Sequence, residues 1–368
     1  MQFKTRVILM ALAVVTLFSS CQDENSPLIV ENIYDSTDFQ KNSEPAHSAI
    51  SSYNTLMNAL EKGRSGSVLT SQMLELQKND GSFYLPSRII GGFQPVLNKY
   101  IQYAIDNSGK TFIPGNLQNG GVLDGYLFTQ NGVEISSMIG KGLYGAIFYY
   151  QSAKILRPGM TKAELDMVLA YYGSSPAFPN CNTNIRVPNP DILAAGNVCK
   201  RDKNDGNGLY TAIKNEFLTI QATIAGGTDF VIEQKEAIED LKILWEKANA
   251  ATVVSHIKEM INILSSDQTM SPETQATVLY NYSEAVGLLY GWKFLVNSDK
   301  LINDRDLKEI FTLLNMSESS SEGYKFVTNS DSELPKLDKV INKLALIYGF
   351  SPADLDSFQT NWALVQGR

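Results

Sequence analysis

Asn131–Leu156 reads NGVEISSMIGKGLYGAIFYYQSAKIL and is apolar and free of proline over its whole length. Ile135, Ile139, Leu143, Ala146, Ile147 and Tyr150 recur at spacings of three and four, which places them on one helix face. Gly142, Gly145, Ala146 and Ala153 form a strip of small residues beside that face, where a second backbone can come close. The stretch predicts a central buried helix with the other elements packed around it.

Outward from it, the pattern stays helical. Ile50, Tyr53, Leu56, Met57 and Leu60 share a face that Gly63 closes, and 67–78 and 86–107 read as further helices split at Asp80-Gly81. Residues 111–124 read as a glycine-bearing loop. Thr161 and Glu164 fit a capping box for a short helix ending at Tyr172. Helices follow at 207–225, 229–250 and 252–264. A long one begins at Ser271-Pro272-Glu273, with proline at its first position. Segments 303–314, 332–348 and 352–364 complete the set, the last capped by Ser351. No alternating strand pattern exceeds a few residues, and no 34- or 40-residue repeat marks a solenoid. The expected fold is all-α, a multi-helix bundle with one long loop, 173–207, that carries Cys181 and Cys199.

The beginning of the chain reads differently. Lys4 and Arg6 precede an apolar run, Val7–Phe18, too short to span a bilayer and suited to a signal peptide. Ser19-Ser20-Cys21 follows, like the lipobox of bacterial lipoproteins, with Phe18 where Leu is commonest. The expected organisation is a leader over 1–20, lipidation at Cys21, an acidic flexible tether over 21–43 and a single helical domain over 44–368. Two or three acyl chains on Cys21 hold a protein stably on a membrane. The expected location is the outer membrane, facing periplasm or cell surface.

Without the leader, 29 Lys and Arg face 39 Asp and Glu. An acidic domain without a basic cluster argues against nucleic acid as a partner. Cys181 and Cys199 are the only cysteines after Cys21, and in an oxidising compartment such a pair forms a disulfide, worth about 3 kcal/mol for a loop of this size.

Four ordered segments, YLFTQNGVEISSMIGKGLYGAIFYYQ, FLTIQATIAG, LWEKANAATVVSHIKEMIN and YNYSEAVGLLYGWKFL, together resemble a group of helical bacterial lipoproteins. That group is defined only as a domain of unknown function, and some of its members are called imelysin-like. The resemblance runs from about Ser48 to Trp362. It implies a helical envelope lipoprotein and brings no established activity. In the last segment the group's motif has a histidine where Tyr280 stands here.

Individual motifs add little chemistry. Gly140-Lys141-Gly142-Leu143-Tyr144-Gly145 has the G-x-G-x-x-G spacing, but its glycines lie inside a helical pattern rather than after a strand, so no nucleotide is expected. His256 and Glu259 form an H-x-x-E pair on one helix face, resembling the imelysin G-x-H-x-x-E with Val254 at the glycine position. Together they are the candidate ligands of a metal ion. Arg201–Gly208 is rich in oxygen ligands but fits no register of a calcium loop. Glu284 sits in an apolar helix and needs a partner if buried, with Lys141 as candidate for an ion pair. Tyr149-Tyr150, Tyr171-Tyr172 and Tyr290-Gly291-Trp292 are candidate sugar-stacking rings. With two histidines and no G-x-S-x-G, no nucleophilic triad assembles. The sequence therefore favours a non-enzymatic binding or assembly lipoprotein serving uptake of iron or another nutrient, whose partners are outer-membrane proteins or a small ligand. An imelysin-like metal protein and a surface glycan binder are the alternatives.

Overall fold

In a computed structural model, residues 27–78, 85–183, 190–266, 270–317 and 321–368 are described. The leader, Cys21 and the first residues of the tether lie outside them. The rest of the tether does not behave as one. Tyr34 and Phe39 are buried, and the turn α1 (Phe39–Asn42) leads directly into α2 (Glu44–Arg64). The Tyr34 hydroxyl donates to Asp166 Oδ1 at 2.8 Å and Asn42 Nδ2 to Asp166 Oδ2 at 2.8 Å. The domain thus begins about ten residues earlier than the composition suggests, because a buried acid far along the chain holds this segment.

Next come α3 (Ser71–Lys78) and α4 (Gln94–Asn107), the latter preceded by two 3-10 turns rather than by continuous helix. The glycine-bearing loop contains a small hairpin, β1 (Gly121–Leu123) against β2 (Tyr126–Phe128), with Val122 opposite Leu127. The central segment is a helix in three pieces. α5 (Ile135–Leu143) runs into a π-helical stretch at Tyr144–Tyr149 and continues as α6 (Tyr150–Ile155). Such widened turns carry one extra residue and often mark functional sites. Ile135, Ile139, Leu143, Ala146 and Ile147 are all buried there.

α7 (Lys162–Tyr172) starts with both hydrogen bonds of the Thr161–Glu164 capping box and ends at Gly173, φ 95°. The long loop then holds α8 (Leu193–Val198) and the Cys181–Cys199 disulfide. α9 (Leu209–Gly226) follows. α10 (Val231–Leu264) is one helix of 34 residues where the sequence suggests two, since the alanines around Ala250 carry no break. α11 (Pro272–Lys293) opens with Ser271 capping Thr274 N. α12 (Asp304–Leu313), α13 (Lys325–Thr328), α14 (Ser330–Tyr348), α15 (Pro352–Ser357) and α16 (Trp362–Val365) close the chain, the expected last helix being split in two.

The order across the bundle is α5, α11, α10, α9, each packed on the next, with α14 against the outer side of α10. One continuous core joins them. At its centre Tyr149 lies 4.9 Å from Trp292 and 5.4 Å from Trp245, and Trp245 lies 5.0 Å from Tyr172. The fold is all-α apart from the hairpin.

Candidate functional site

The small-residue strip brings α5 and α11 to backbone contact. A Cβ on Gly291 would stand 2.5 Å from Gly142 O and 3.0 Å from Gly145 Cα; one on Gly287 would stand 2.9 Å from Ser137 O. Helices this close force the polar residues flanking the strip against each other. Lys141 Nζ is 3.0 Å from Glu284 Oε2. Glu284 is only 4% exposed. The pair named from the sequence is thus formed and nearly dry.

α10 adds His256 to it. The imidazole Nε2 lies 3.5 Å from Glu284 Oε2, and Nδ1 lies 2.8 Å from Asn281 Oδ1. Asn281 Nδ2 donates to Thr277 O at 3.0 Å, which leaves its Oδ1 as the acceptor. The hydrogen-bond pattern therefore places the proton on Nδ1 and a lone pair on Nε2, facing the carboxylate.

Charge states follow from the surroundings. Burial pushes His256 down to about 4; Glu284 opposes the shift, while Arg201 and Lys141 add to it. Burial would raise Glu284, but Lys141 and then His256 outweigh it and hold the carboxyl below its ordinary value. Lys141 is held above its ordinary value by Tyr144, Glu284 and Tyr280 in spite of burial. At neutral pH the cluster is an ammonium, a carboxylate and a neutral imidazole. General acid–base work needs a group that titrates near the working pH. None of the three does, so the arrangement holds fixed charge.

Tyr280, where the resembled group has histidine, belongs to a second cluster at the same crossing. Its ring is 4.8 Å from that of Tyr126, and the Arg64 guanidinium lies 4.7 Å above Tyr126 and 5.7 Å from Tyr280. Arg64 Nε donates to Glu134 Oε1 at 3.1 Å. Glu134, fully buried, caps α5 by accepting from Ser137 N, and its own N–H donates to Ser283 Oγ. The Asn131–Glu134 turn thus sets where the central helix starts.

Other expectations are corrected by placement. Glu259 is exposed and takes no part in the His256 cluster. Among the described residues, ligand atoms of three His, Cys, Asp or Glu gather only at Cys181, Asp191 and Cys199, two of which are bonded to each other. The H-x-x-E pair is therefore not assembled into a metal centre; its histidine is turned to Glu284 and Asn281. The candidate sugar-stacking rings Tyr149, Tyr171, Tyr172, Tyr290 and Trp292 are buried in the core, and Tyr150 is half-buried beneath Lys154. The glycines at 140, 142 and 145 lie in helix, as their spacing suggests.

Sequence reasoning missed three further acids that organise the fold, Asp166 and Glu246 buried and Asp191 partly so. Asp166 holds the N-terminal segment. Asp191 accepts from Ser174 Oγ, Tyr210 OH and Cys181 N, fixing the long loop. Glu246 accepts from Leu301 N, Ile302 N and Tyr348 OH, tying α14 and the turn before α12 to α10. Only Glu246 carried a signal, an acid on the apolar face of a helix.

Two openings reach the surface near these elements. A groove of about 600 Å³ between α11 and α12 is walled by Tyr290, Leu307, Phe311 and Met316. A cleft of about 260 Å³ lies between α10, α15 and the segment from Val198 to Leu209, with Arg201 in its wall. The field of Glu284 reaches Arg201, so the cleft and the buried cluster adjoin. The chain matches no family model, no curated protein and no solved structure.

Proposed function

We propose that this protein is a lipid-anchored component of the cell envelope that binds a ligand or partner without transforming it. The observation that carries the reading is the state of the central cluster. Lys141 Nζ and Glu284 Oε2 form a recessed ion pair at 3.0 Å, and the neutral His256 imidazole lies against the same carboxylate. Beside them opens a cleft with charged and aromatic walls. Fixed charge beside an opening suits recognition better than turnover.

The sequence supports the address. The leader and Cys21 fit lipidation, the disulfide suits an oxidising compartment, and no described helix is long and apolar enough to cross a membrane. The expected anchor, the acidic domain and the lack of a nucleophilic triad in the sequence support a place in uptake of iron or another nutrient at the outer membrane. Two measurements test this. Cys21→Ser should abolish incorporation of labelled palmitate and release the protein from the membrane fraction. The full-length protein in detergent, incubated with a metabolite panel, should retain a ligand that mass spectrometry finds unchanged. A panel member consumed catalytically, or a Cys21→Ser protein still acylated, would refute the respective half of the reading.

A further inference from the structure

The cleft beside the disulfide has an imbalance of partners. Its cations are Arg201, Lys203 and Lys247, and its acids are Asp202, Asp205 and Asp354. The acids are occupied. Asp202 accepts from Asn204 N at 2.6 Å, Tyr210 N at 3.0 Å and Asn180 Nδ2 at 3.3 Å. Asp205 accepts from Asn207 N, and Asp354 from both the N–H and the hydroxyl of Ser351. Each is spent on shaping a turn or a helix start.

The cations are not so balanced. Lys203 lies over the Trp362 ring at 5.1 Å and Lys247 over Phe350 at 5.5 Å, and among the described residues neither pairs with a carboxylate. Arg201 donates from Nη1 to Asn197 O at 2.7 Å, while its buried Nε has no partner. Arg201 is partly buried, and a guanidinium partly withdrawn from water without a counter-charge is costly. Burial pushes its pKa down to about 10, the direction expected for a cation short of an anion. The start of α9 borders the same cleft at Gly208 and Leu209, with its first turn already met by the Asp202 carboxylate at Tyr210 N. The opposite wall is apolar: Ala248, Ala251, Phe350 and Phe358, the two rings 4.9 Å apart.

We propose that this cleft binds a small anion with a carboxylate or phosphate head on an apolar body, the head against Arg201 and the body on Phe350 and Phe358. The forked guanidinium is matched to either head, and among the described residues it pairs with no carboxylate. The volume of 260 Å³ suits a ligand about the size of a single substituted ring. The proposal rests on the binding reading above and adds the chemical class of the ligand.

The test is calorimetry on the full-length protein in detergent, with phenyl phosphate and benzoate as anionic probes. Benzylamine and benzyl alcohol serve as cationic and neutral counterparts of the same shape. The expected result is binding of at least one anion and of neither counterpart. Arg201→Met should weaken anion binding by about 10- to 100-fold, the range for one charge-assisted hydrogen-bonding partner. Without ligand the variant should melt no lower than the wild type, which a purely structural arginine would not allow. Lys247→Gln, on the facing wall, should weaken binding while leaving the fold intact. Two outcomes overturn the proposal: no heat with either anion at millimolar concentration, or affinity unchanged in both variants. Equal binding of benzyl alcohol or benzylamine would overturn the anion assignment and leave the binding reading standing. Hydrolysis of phenyl phosphate by the protein would instead refute the binding reading.

Discussion

Lowering the pH from 7 to 5 should weaken the fold through His256 in particular. Its folded-state pKa is about 4, set by burial and by Arg201 and Lys141 against the pull of Glu284. In the unfolded chain the imidazole titrates near 6.5. A depressed value means that the unfolded state takes up the proton first. The contribution is therefore fully present above pH 6.5, is lost progressively down to pH 4 and is constant below that. A difference of about 2.5 pH units corresponds to a limiting loss of about 3.4 kcal/mol, of which about 2 kcal/mol has gone at pH 5. The side chain is only 15% exposed, so solvent screening takes little from this figure. Other groups titrate nearby. His47 is also depressed by burial and adds to the loss, while Asp191, Glu134 and Glu246 are raised by burial and act the other way. The comparison that isolates His256 is urea unfolding of the wild type and His256→Gln at pH 7 and pH 5, since glutamine retains a donor for Asn281. The wild type should lose about 2 kcal/mol more than the variant over this interval. Equal losses in the two proteins, or a His256 resonance that titrates near pH 6.5 in the folded state, would refute the reasoning.

The ion pair gives a second prediction. Glu284→Gln leaves the Lys141 ammonium recessed without its anion and should cost about 3–5 kcal/mol in unfolding free energy, whereas Lys141→Met with Glu284→Leu should recover most of that loss. Gly291→Ala would place a methyl 2.5 Å from Gly142 O, a backbone atom that cannot turn aside. It should destabilise by about 1–3 kcal/mol by thermal or urea melting, and more than Gly287→Ala, whose methyl has 2.9 Å. Glu246→Gln puts an amide NH₂ among three donors and should cost about 3 kcal/mol. Hydrogen exchange should then quicken in α14 and at Leu301–Ile302 before it does elsewhere.

What could be read from the chain was whatever depends on neighbours in sequence. The capping boxes at Thr161 and Ser351 are local hydrogen-bond patterns, and both are present. The glycines at 142 and 145 announce close approach: the Gly291 backbone fills the space beside Gly145, and the Phe93 ring fills that beside Gly142. Their counterparts Gly287 and Gly291 lie four apart on α11, where the others lie three apart, so the crossing is written on both helices. What depends on distant partners could not be read. Tyr34 and Phe39 sit in a polar, acidic stretch, and partners more than 120 positions away, Asp166 at Tyr34 and Asn42, Lys162 at Thr37 and Gln221 at Asp35, turn that stretch into part of the domain. The strands of the hairpin are three residues each, too short for alternation to register. The π-helical turn leaves no mark in the pattern, because Gly145–Tyr149 are all buried and no single face stands out there.

The site shows the same division more sharply. The sequence pairs His256 with Glu259 because they lie three apart on one helix. The fold pairs His256 with Glu284 and Asn281 because α10 and α11 are neighbours for most of their length. An i, i+3 pair is one of several partners open to a histidine, and the one chosen is set by which helix face is buried. His256 is recessed and Glu259 is exposed, so the helix divides the motif between core and solvent. Arg201 is the opposite case, a residue in a loop that reads as polar filler. It acquires an unanswered charge only because the disulfide segment lays it against α10, where Glu284 is already engaged by Lys141. A partly buried cation beside an anion that is already paired leaves one charge unmatched, and an anionic ligand in the adjoining cleft would match it.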